Sequence, residues 1–510
     1  MKRSIISLLC LSLAGCAAVG PDFHAPEVQA PASYGDWHGG ATSLRDTALD
    51  TGTAQSFARF DDPVLRGLQA QALAASLDVR SAALRFAQSR MARNMAAGAQ
   101  GPQVNARASA TRQRQSESGA GTRMIDAIAP PNKDALIEKL SDPFDLYQAG
   151  FDASWELDLW GRVRRSVEAA DAGMAEASSM LRDVQLAVQL EVARNYYELR
   201  AAQRQQALLR ADLAAAQDLA ALVDARQRGG LATGLDVEQQ QSALAELQGR
   251  LPLLLEQEAA AINRLTMLLA QAPGSLQAQL AVVDSTTPGG ATAPGQTADV
   301  TAAGPATAGS TAVRGPDLAL GVPGEVLRHR PDIQAAEARL QAATARIGVA
   351  VADLYPRITL GLSLGFESID AGKFGDWGSR QWSLGPSLQL PIFDNGRRRA
   401  TVELRELEQQ EAAINFQKTV LKGWHEMDDA LSAYAAERQR QQALAAREAS
   451  ARATLELAAT RARRGMSDQL PVLQAQRALL AVQRERSASD SALALRLLAI
   501  CKASGLAPQA

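Results

Sequence analysis

Catalysis and metal binding need reactive side chains that converge, and here they are scattered. Four histidines (His24, His38, His329, His425) and three cysteines (Cys10, Cys16, Cys501) form no cluster with ligand spacing, which argues against a metal centre or a disulfide framework. No nucleophile–base pair and no pair of carboxylates stands at a spacing suited to acid–base work, so an enzyme is not expected. Met91 and Met95 are one helical turn apart, but a single pair reads as packing rather than a copper site. Nothing resembles a nucleotide-binding loop, and no cofactor is expected. With 46% hydrophobic residues, 21% charged residues and a net charge of -2 over 510 residues, the chain is a folded protein without the basic excess that a nucleic-acid partner would require.

Cys16 is the one reactive residue with an informative context. Lys2 and Arg3 precede an apolar run from Ile5 to Leu13, followed by Leu13-Ala14-Gly15-Cys16. A basic start, a short apolar core and small residues before a cut describe a secretory signal, too short to remain as a membrane helix. A cysteine directly after Leu-Ala-Gly resembles the bacterial lipobox. That resemblance implies cleavage between Gly15 and Cys16 and lipidation of Cys16. Ala17 is not the aspartate that usually retains such lipoproteins in the inner membrane, which favours the outer membrane.

The elements behind these residues are written in two rhythms. Tyr147, Ala149, Phe151, Ala153, Trp155, Leu157 and Leu159 alternate with polar or small residues, as in a strand with one apolar face. After Gly161 the apolar positions are Val163, Val167, Ala170, Met174, Ala177, Leu181, Val184 and Val188, the 4-3 spacing of a coiled-coil helix. The same passage recurs: "LWGRVRRSVE" from Leu159 is echoed by "DNGRRRATVE" from Asp394, and "RGGLATGLDV" from Arg228 by "RRGMSDQLPV" from Arg463, both at an offset of 235. Upstream, Arg85–Val104 matches Arg339–Ile358 at an offset of 254, so the first copy holds about 19 extra residues in a polar Gly/Pro-bearing loop within 113–141.

This pattern predicts an internal two-fold repeat. A signal peptide spans 1–15 and a lipid-anchored extension 16–60. Repeat 1 covers 61–283, with strands over 103–113 and 145–159 and a helix over 162–228. A Gly/Ala/Thr/Pro-rich connector covers 284–316. Repeat 2 covers 317–505, with strands over 356–367 and 381–393 and a helix over 397–464, and a tail follows at 506–510. Shorter helical stretches (63–101, 236–271, 331–354, 471–504) accompany the long ones, and Pro252 is expected to kink its helix. Each strand is about 10 residues, the length of a tilted membrane strand. Half of the aromatic residues fall within 144–160 and 355–393, as expected for belts at membrane interfaces. A 67-residue proline-free helix is roughly 100 Å long at 1.5 Å per residue.

Four strands cannot close a barrel, and an open sheet edge in lipid leaves backbone groups that hydrocarbon cannot solvate. Copies must therefore share one barrel. Two would make eight strands around a filled lumen, whereas three make twelve around a wet one. The fold class expected is an α+β membrane protein: a transmembrane β-barrel with four strands per chain, shared by a trimer, continuing into a long α-helical barrel. Gly161 and Gly396 are the joints between the two.

The residues "CAAVGPDFHAP" (16–26), "LRHRPDIQAAEARLQAATARIGVAVADLYPRITL" (327–360), "PIFDNGRRRA" (391–400) and "VLQAQRALL" (472–480) resemble the TolC-like outer-membrane efflux proteins, in their lipoprotein branch. The likeness spans the mature chain apart from the 113–141 and 284–316 insertions. It implies a homotrimer that docks a periplasmic adaptor and an inner-membrane RND-type transporter and exports small molecules. It also implies that the turns 228–235 and 463–470 close the periplasmic end through charged residues. Here the candidates are Arg226, Arg228, Asp236, Arg461, Arg464 and Asp468, with Arg464 and Asp468 placed to pair with Arg228 or Asp236. Gln474 stands where the family often has an acidic residue. Two other readings fit the same sequence: an exit duct for type I protein secretion, and a pore-less periplasmic structural lipoprotein.

Overall fold

The computed structural model describes residues 18–27, 62–120, 122–128, 131–281 and 323–506. Gly15, Cys16 and the 284–316 connector lie outside them. In chain order the elements are α1 (Pro63–Ala75), α2 (Leu77–Gly98), β1 (Gln103–Gln113), α3 (Arg123–Ile128), α4 (Lys133–Ser141), β2 (Phe144–Glu156), α5 (Arg162–Arg228), α6 (Gly234–Leu268), α7 (Gln277–Leu280), α8 (Pro323–Arg328), α9 (Pro331–Ala352), β3 (Arg357–Ser368), β4 (Arg380–Gln389), α10 (Arg397–Arg463) and α11 (Leu470–Ser504). Among the described residues no helix is long and apolar enough to cross a membrane. The chain divides into two compact units.

One unit holds residues 18–25, 87–176 and 337–415. Its sheet is an antiparallel meander in the order β1-β2-β3-β4. Gln103 faces Ser154 and Gln113 faces Phe144; Glu156 faces Thr359; Arg357 faces Gln389. β1 and β4 are therefore edges, and both are exposed along their whole length.

Two strands stop earlier than their alternation suggests. The β2 pattern runs on to Leu159, but the strand ends at Glu156 because Asp158 turns to cap α5, accepting from the backbone N–H groups of Val163 (3.0 Å) and Arg164 (2.8 Å). β4 ends at Gln389 instead of reaching 393, since Pro391 has no N–H for a ladder. The 113–141 insertion is not all loop: it contains the short helices α3 and α4.

The other unit holds residues 26–27, 62–86, 177–281, 323–336 and 416–506. Its core gathers Leu65 and Leu68 from α1, Leu199 from α5, Leu265 from α6, Leu280 from α7, Met427 from α10 and Leu497 and Ile500 from α11. The stretch 63–101 is two helices, because Ser76 adopts an extended ψ of 128° and ends α1. Asp62 caps α1 through Val64 N (2.9 Å) and Leu65 N (3.3 Å), and its other oxygen accepts the Tyr196 hydroxyl of α5 at 2.5 Å. One polar side chain thus both starts a helix and seats it. α6 runs uninterrupted through Pro252. The buried guanidinium of Arg330 donates to Asp332 (3.0 and 2.7 Å), Glu426 (2.7 Å) and the Ala503 carbonyl (2.9 Å).

Candidate functional site

Two helical turns stand together in the second unit. α5 ends at Arg228, and Gly230 takes a left-handed φ of 70°, letting Leu231 N donate to Arg226 O at 2.8 Å. α10 ends at Arg463, one residue short of the expected 464, and Gly465 repeats the device with φ 72° and Met466 N on Arg461 O at 2.9 Å. Beneath both turns, Leu219 and Val223 of α5 pack against Leu473 of α11.

The charges at these turns pair differently from the sequence expectation. Within the chain, Asp468 accepts from Arg226 Nη1 at 2.7 Å rather than from Arg228, which bonds Asp224 one turn back on its own helix at 3.1 Å. Asp236 closes a capping box with Thr233: its carboxylate accepts from Thr233 N (2.8 Å) and Oγ1 (2.7 Å), and Thr233 Oγ1 accepts from Asp236 N. The Thr233 backbone N–H, then its hydroxyl, hold the Asp236 carboxyl below the usual carboxylate range. Asp236 is thereby committed to the start of α6. Arg461 and Arg464 are exposed and make no ion pair among the described residues. Gln474 is exposed on the first turns of α11.

A stronger contact lies further along the helices and is not among the residues the sequence pointed to. Asp212 of α5 is 1% exposed and receives Arg477 Nε at 3.1 Å and Arg484 Nη2 at 3.0 Å, both from α11. Gln205 Nε2 of α5 adds a bond to the Arg484 carbonyl at 2.7 Å. On α10 the buried Glu448 accepts from Arg486 of α11 and, at 2.9 Å, from Arg452. α11 is thus held to α5 and to α10 by carboxylates shielded from water, where charge pairs are screened least. The available signal was Arg477 and Arg484, seven apart on one face of α11, with no acidic residue three or four positions from either to neutralise them.

The strand-to-helix joints share a backbone solution. Gly161 has φ 79° and Gly396 has φ 81°, conformations that suit residues without a Cβ. Around the first joint, Glu156 takes Arg162 bidentately (2.8 and 2.7 Å), and Trp160 stacks on Tyr355 with ring centroids 4.8 Å apart while donating to the Pro356 carbonyl at 2.8 Å. The N-terminal segment is clamped to this joint. Val19 N donates to Trp160 O (3.0 Å), and the buried Arg165 donates to Val19 O (3.3 Å), Gly20 O (3.4 Å) and Asp22 (2.6 Å). Gly20 lies so close to Gly348 that a Cβ on it would meet the Gly348 Cα at 2.5 Å.

Among the described residues the geometry builds long helices, joints and locks. Residues 68–271 and 322–506 match the family of outer membrane efflux proteins. The chain is 32% identical to the outer membrane protein OprJ of Pseudomonas aeruginosa over 472 residues, covering 92% of this chain and 88% of that one. It is 32% identical to the pyoverdine export outer membrane protein OpmQ of Pseudomonas putida over 502 residues, covering 98% and 97%. Among solved structures, the outer-membrane channel OprN superposes with a TM-score of 0.77 at 30% identity, covering 96% and 99%. The chain belongs to the outer membrane efflux protein family.

Proposed function

We propose that the chain assembles as a homotrimer into the outer-membrane channel of a tripartite efflux system. It receives small molecules from a periplasmic adaptor and an inner-membrane RND-type transporter and releases them outside. The observation that carries this reading is the open four-stranded sheet, whose two edge strands are fully exposed and whose strands feed 67-residue helices. In a bilayer those edges must pair, and four strands per chain close a water-filled barrel when three copies contribute twelve. The matched helix lengths, 22 and 22 for α2 and α9, 67 and 67 for α5 and α10, 35 and 35 for α6 and α11, support a tandem repeat that lines the tunnel twice per chain. Mass photometry or native mass spectrometry in mild detergent is expected to show a trimer. A stable, pore-forming monomer overturns the shared barrel.

The reading includes a lipid anchor at Cys16 in outer-membrane lipid. Cys16→Ser is expected to abolish acylation and weaken membrane anchoring while leaving the barrel able to form, because the strands lie elsewhere in the chain. Metabolic labelling with palmitate checks this, and label retained by the variant refutes Cys16 as the lipidated residue.

A further inference from the structure

The sheet has one apolar face, and that face is bare. Register puts Phe151 of β2, Leu362 and Leu364 of β3, and Trp382, Leu384 and Leu388 of β4 on it, between 45% and 70% exposed. The opposite face carries pairs such as Ser363 with Ser383 and Gly361 with Gly385. In an outer-membrane protein a bare apolar sheet face is the one that meets lipid. The joints at Gly161 and Gly396 follow the end of the sheet where Arg357 faces Gln389, and the long helices leave from there. The opposite end, where Phe366 faces Arg380, is therefore turned away from the periplasm. About 30 Å of β4 separates the two ends at 3.3 Å per residue.

At that far end the apolar face is crowned by cations. Arg380 stands on the same face, one row beyond Trp382. Its guanidinium lies 4.4 Å from the Trp377 ring centroid and donates from Nη1 to the Trp377 carbonyl at 2.5 Å. Stacking and hydrogen bond together fix the guanidinium plane, and several of its N–H groups remain to bind something else. Lys373 belongs to the same rim, because Ser379 Oγ donates to its carbonyl at 2.8 Å and draws residue 373 beside the start of β4. Both cations are exposed, and neither makes an ion pair among the described residues.

The carboxylates nearby do not neutralise them. Asp145 takes Arg112 (3.5 Å), Asp370 accepts from Gly372 N (2.9 Å), and Glu367, on the opposite face, accepts from Gln148 (2.6 Å). Asp376 is exposed in the same loop and pairs with neither cation.

A partner for this surface must bring negative charge at the rim and hydrocarbon below it. An acidic protein segment brings the first without the second. A phosphate-bearing lipid brings both, and phosphate fits the guanidinium fork. The outward leaflet of an outer membrane is built of phosphorylated glycolipid, whose phosphates lie where its acyl chains begin. We infer that Arg380 and Lys373 bind a phosphate of an outer-leaflet glycolipid whose acyl chains lie along Trp382, Leu384 and Leu388. The inference rests on the outer-membrane reading above and is independent of how many copies assemble.

The test uses the full-length protein in mild detergent, with diphosphoryl lipid A as the probe and native mass spectrometry as the readout. Dephosphorylated lipid A, phosphatidylglycerol and inorganic phosphate are compared on the unsubstituted protein, so this arm does not depend on any variant folding. Lipid A should be retained, and the dephosphorylated form and phosphatidylglycerol should bind about tenfold or more weakly. Inorganic phosphate, which has no chains to lie on the sheet, should not displace it. Lys373→Gln with Arg380→Gln should lower lipid A retention about tenfold, and Arg380→Lys, which keeps the charge but not the fork, should fall between. Arg397→Gln with Arg399→Gln removes the same charge beyond the other end of the sheet and should leave retention within about twofold. Undiminished retention by the Lys373/Arg380 variant overturns the site, as does equal binding of either comparison lipid or an equal loss in the Arg397/Arg399 control. A protein that inserts into no bilayer overturns the membrane reading of the sheet itself, and the lipid site with it.

Discussion

Asp212→Ala is expected to raise the open fraction of the channel far more than Asp468→Ala, although Asp468 sits at the turn itself. Asp212 is 1% exposed and compensates two guanidinium groups of α11, those of Arg477 and Arg484. Removing it leaves two like charges facing each other in a partly desolvated seam. Breaking a buried pair from one side costs about 3–5 kcal/mol. The Arg226–Asp468 pair is half in water, and such surface pairs contribute about 0–1 kcal/mol. In the proposed trimer three copies would multiply either effect on one closed state, so the buried lock dominates. Asp236→Ala should act elsewhere, fraying the start of α6 by about 1 kcal/mol through its lost capping box. Single-channel recording in lipid bilayers reads the open fraction, and thermal melting reads stability. A variant at Asp212 that melts earlier but opens no more often than the wild type makes this carboxylate a packing element only, and places closure of the tunnel elsewhere.

The second large effect concerns the N-terminal clamp. Gly348→Val is expected to release residues 19–22 from the strand-to-helix joint without preventing lipidation. A Cβ at 348 would meet Arg165 Cγ at 2.8 Å and its Cδ at 2.9 Å, and those atoms belong to a buried side chain that would have to shift. Displacing Arg165 forfeits its bonds to Val19, Gly20 and Asp22 together. Overpacking of this kind costs about 1–3 kcal/mol. Because 1.4 kcal/mol is a factor of ten in an equilibrium, hydrogen exchange at Val19, whose N–H bonds Trp160 O, should quicken on the order of 10- to 100-fold. Exchange unchanged from the wild type would show that the segment is held by contacts other than this glycine–arginine fit.

The two effects differ in how visible they were beforehand. The long helices were legible because a 4-3 spacing and the lack of proline are local properties, and α5 spans Arg162–Arg228 inside a stretch that has both. The turns were legible because Gly230 and Gly465 sit where a helix must pass through a left-handed residue to stop. The strand ends were less so. Alternation continues to Leu159 and toward 393, yet pairing stops once Asp158 is drawn to the end of α5 and Pro391 withholds a donor. The break at Ser76 escaped for a similar reason, since periodicity does not register one residue with an extended ψ.

What the sequence determined by itself was everything written in neighbouring residues: two rhythms, two glycine joints, a doubled order of elements, and the lipobox-like start. The partner of each charge was decided only by the tertiary structure. Arg477 bonds Asp212 across 265 positions of chain, and Asp468 takes Arg226 across 242, while the nearer Arg228 is satisfied one turn back on its own helix. Side chains on packed helices meet according to helix rotation and axial offset, and a shift of one residue turns a helical position by about 100°. Periodicity sets which face of each helix is buried, but the offset between two faces is fixed only when their apolar surfaces interlock, as Leu219 and Val223 do against Leu473.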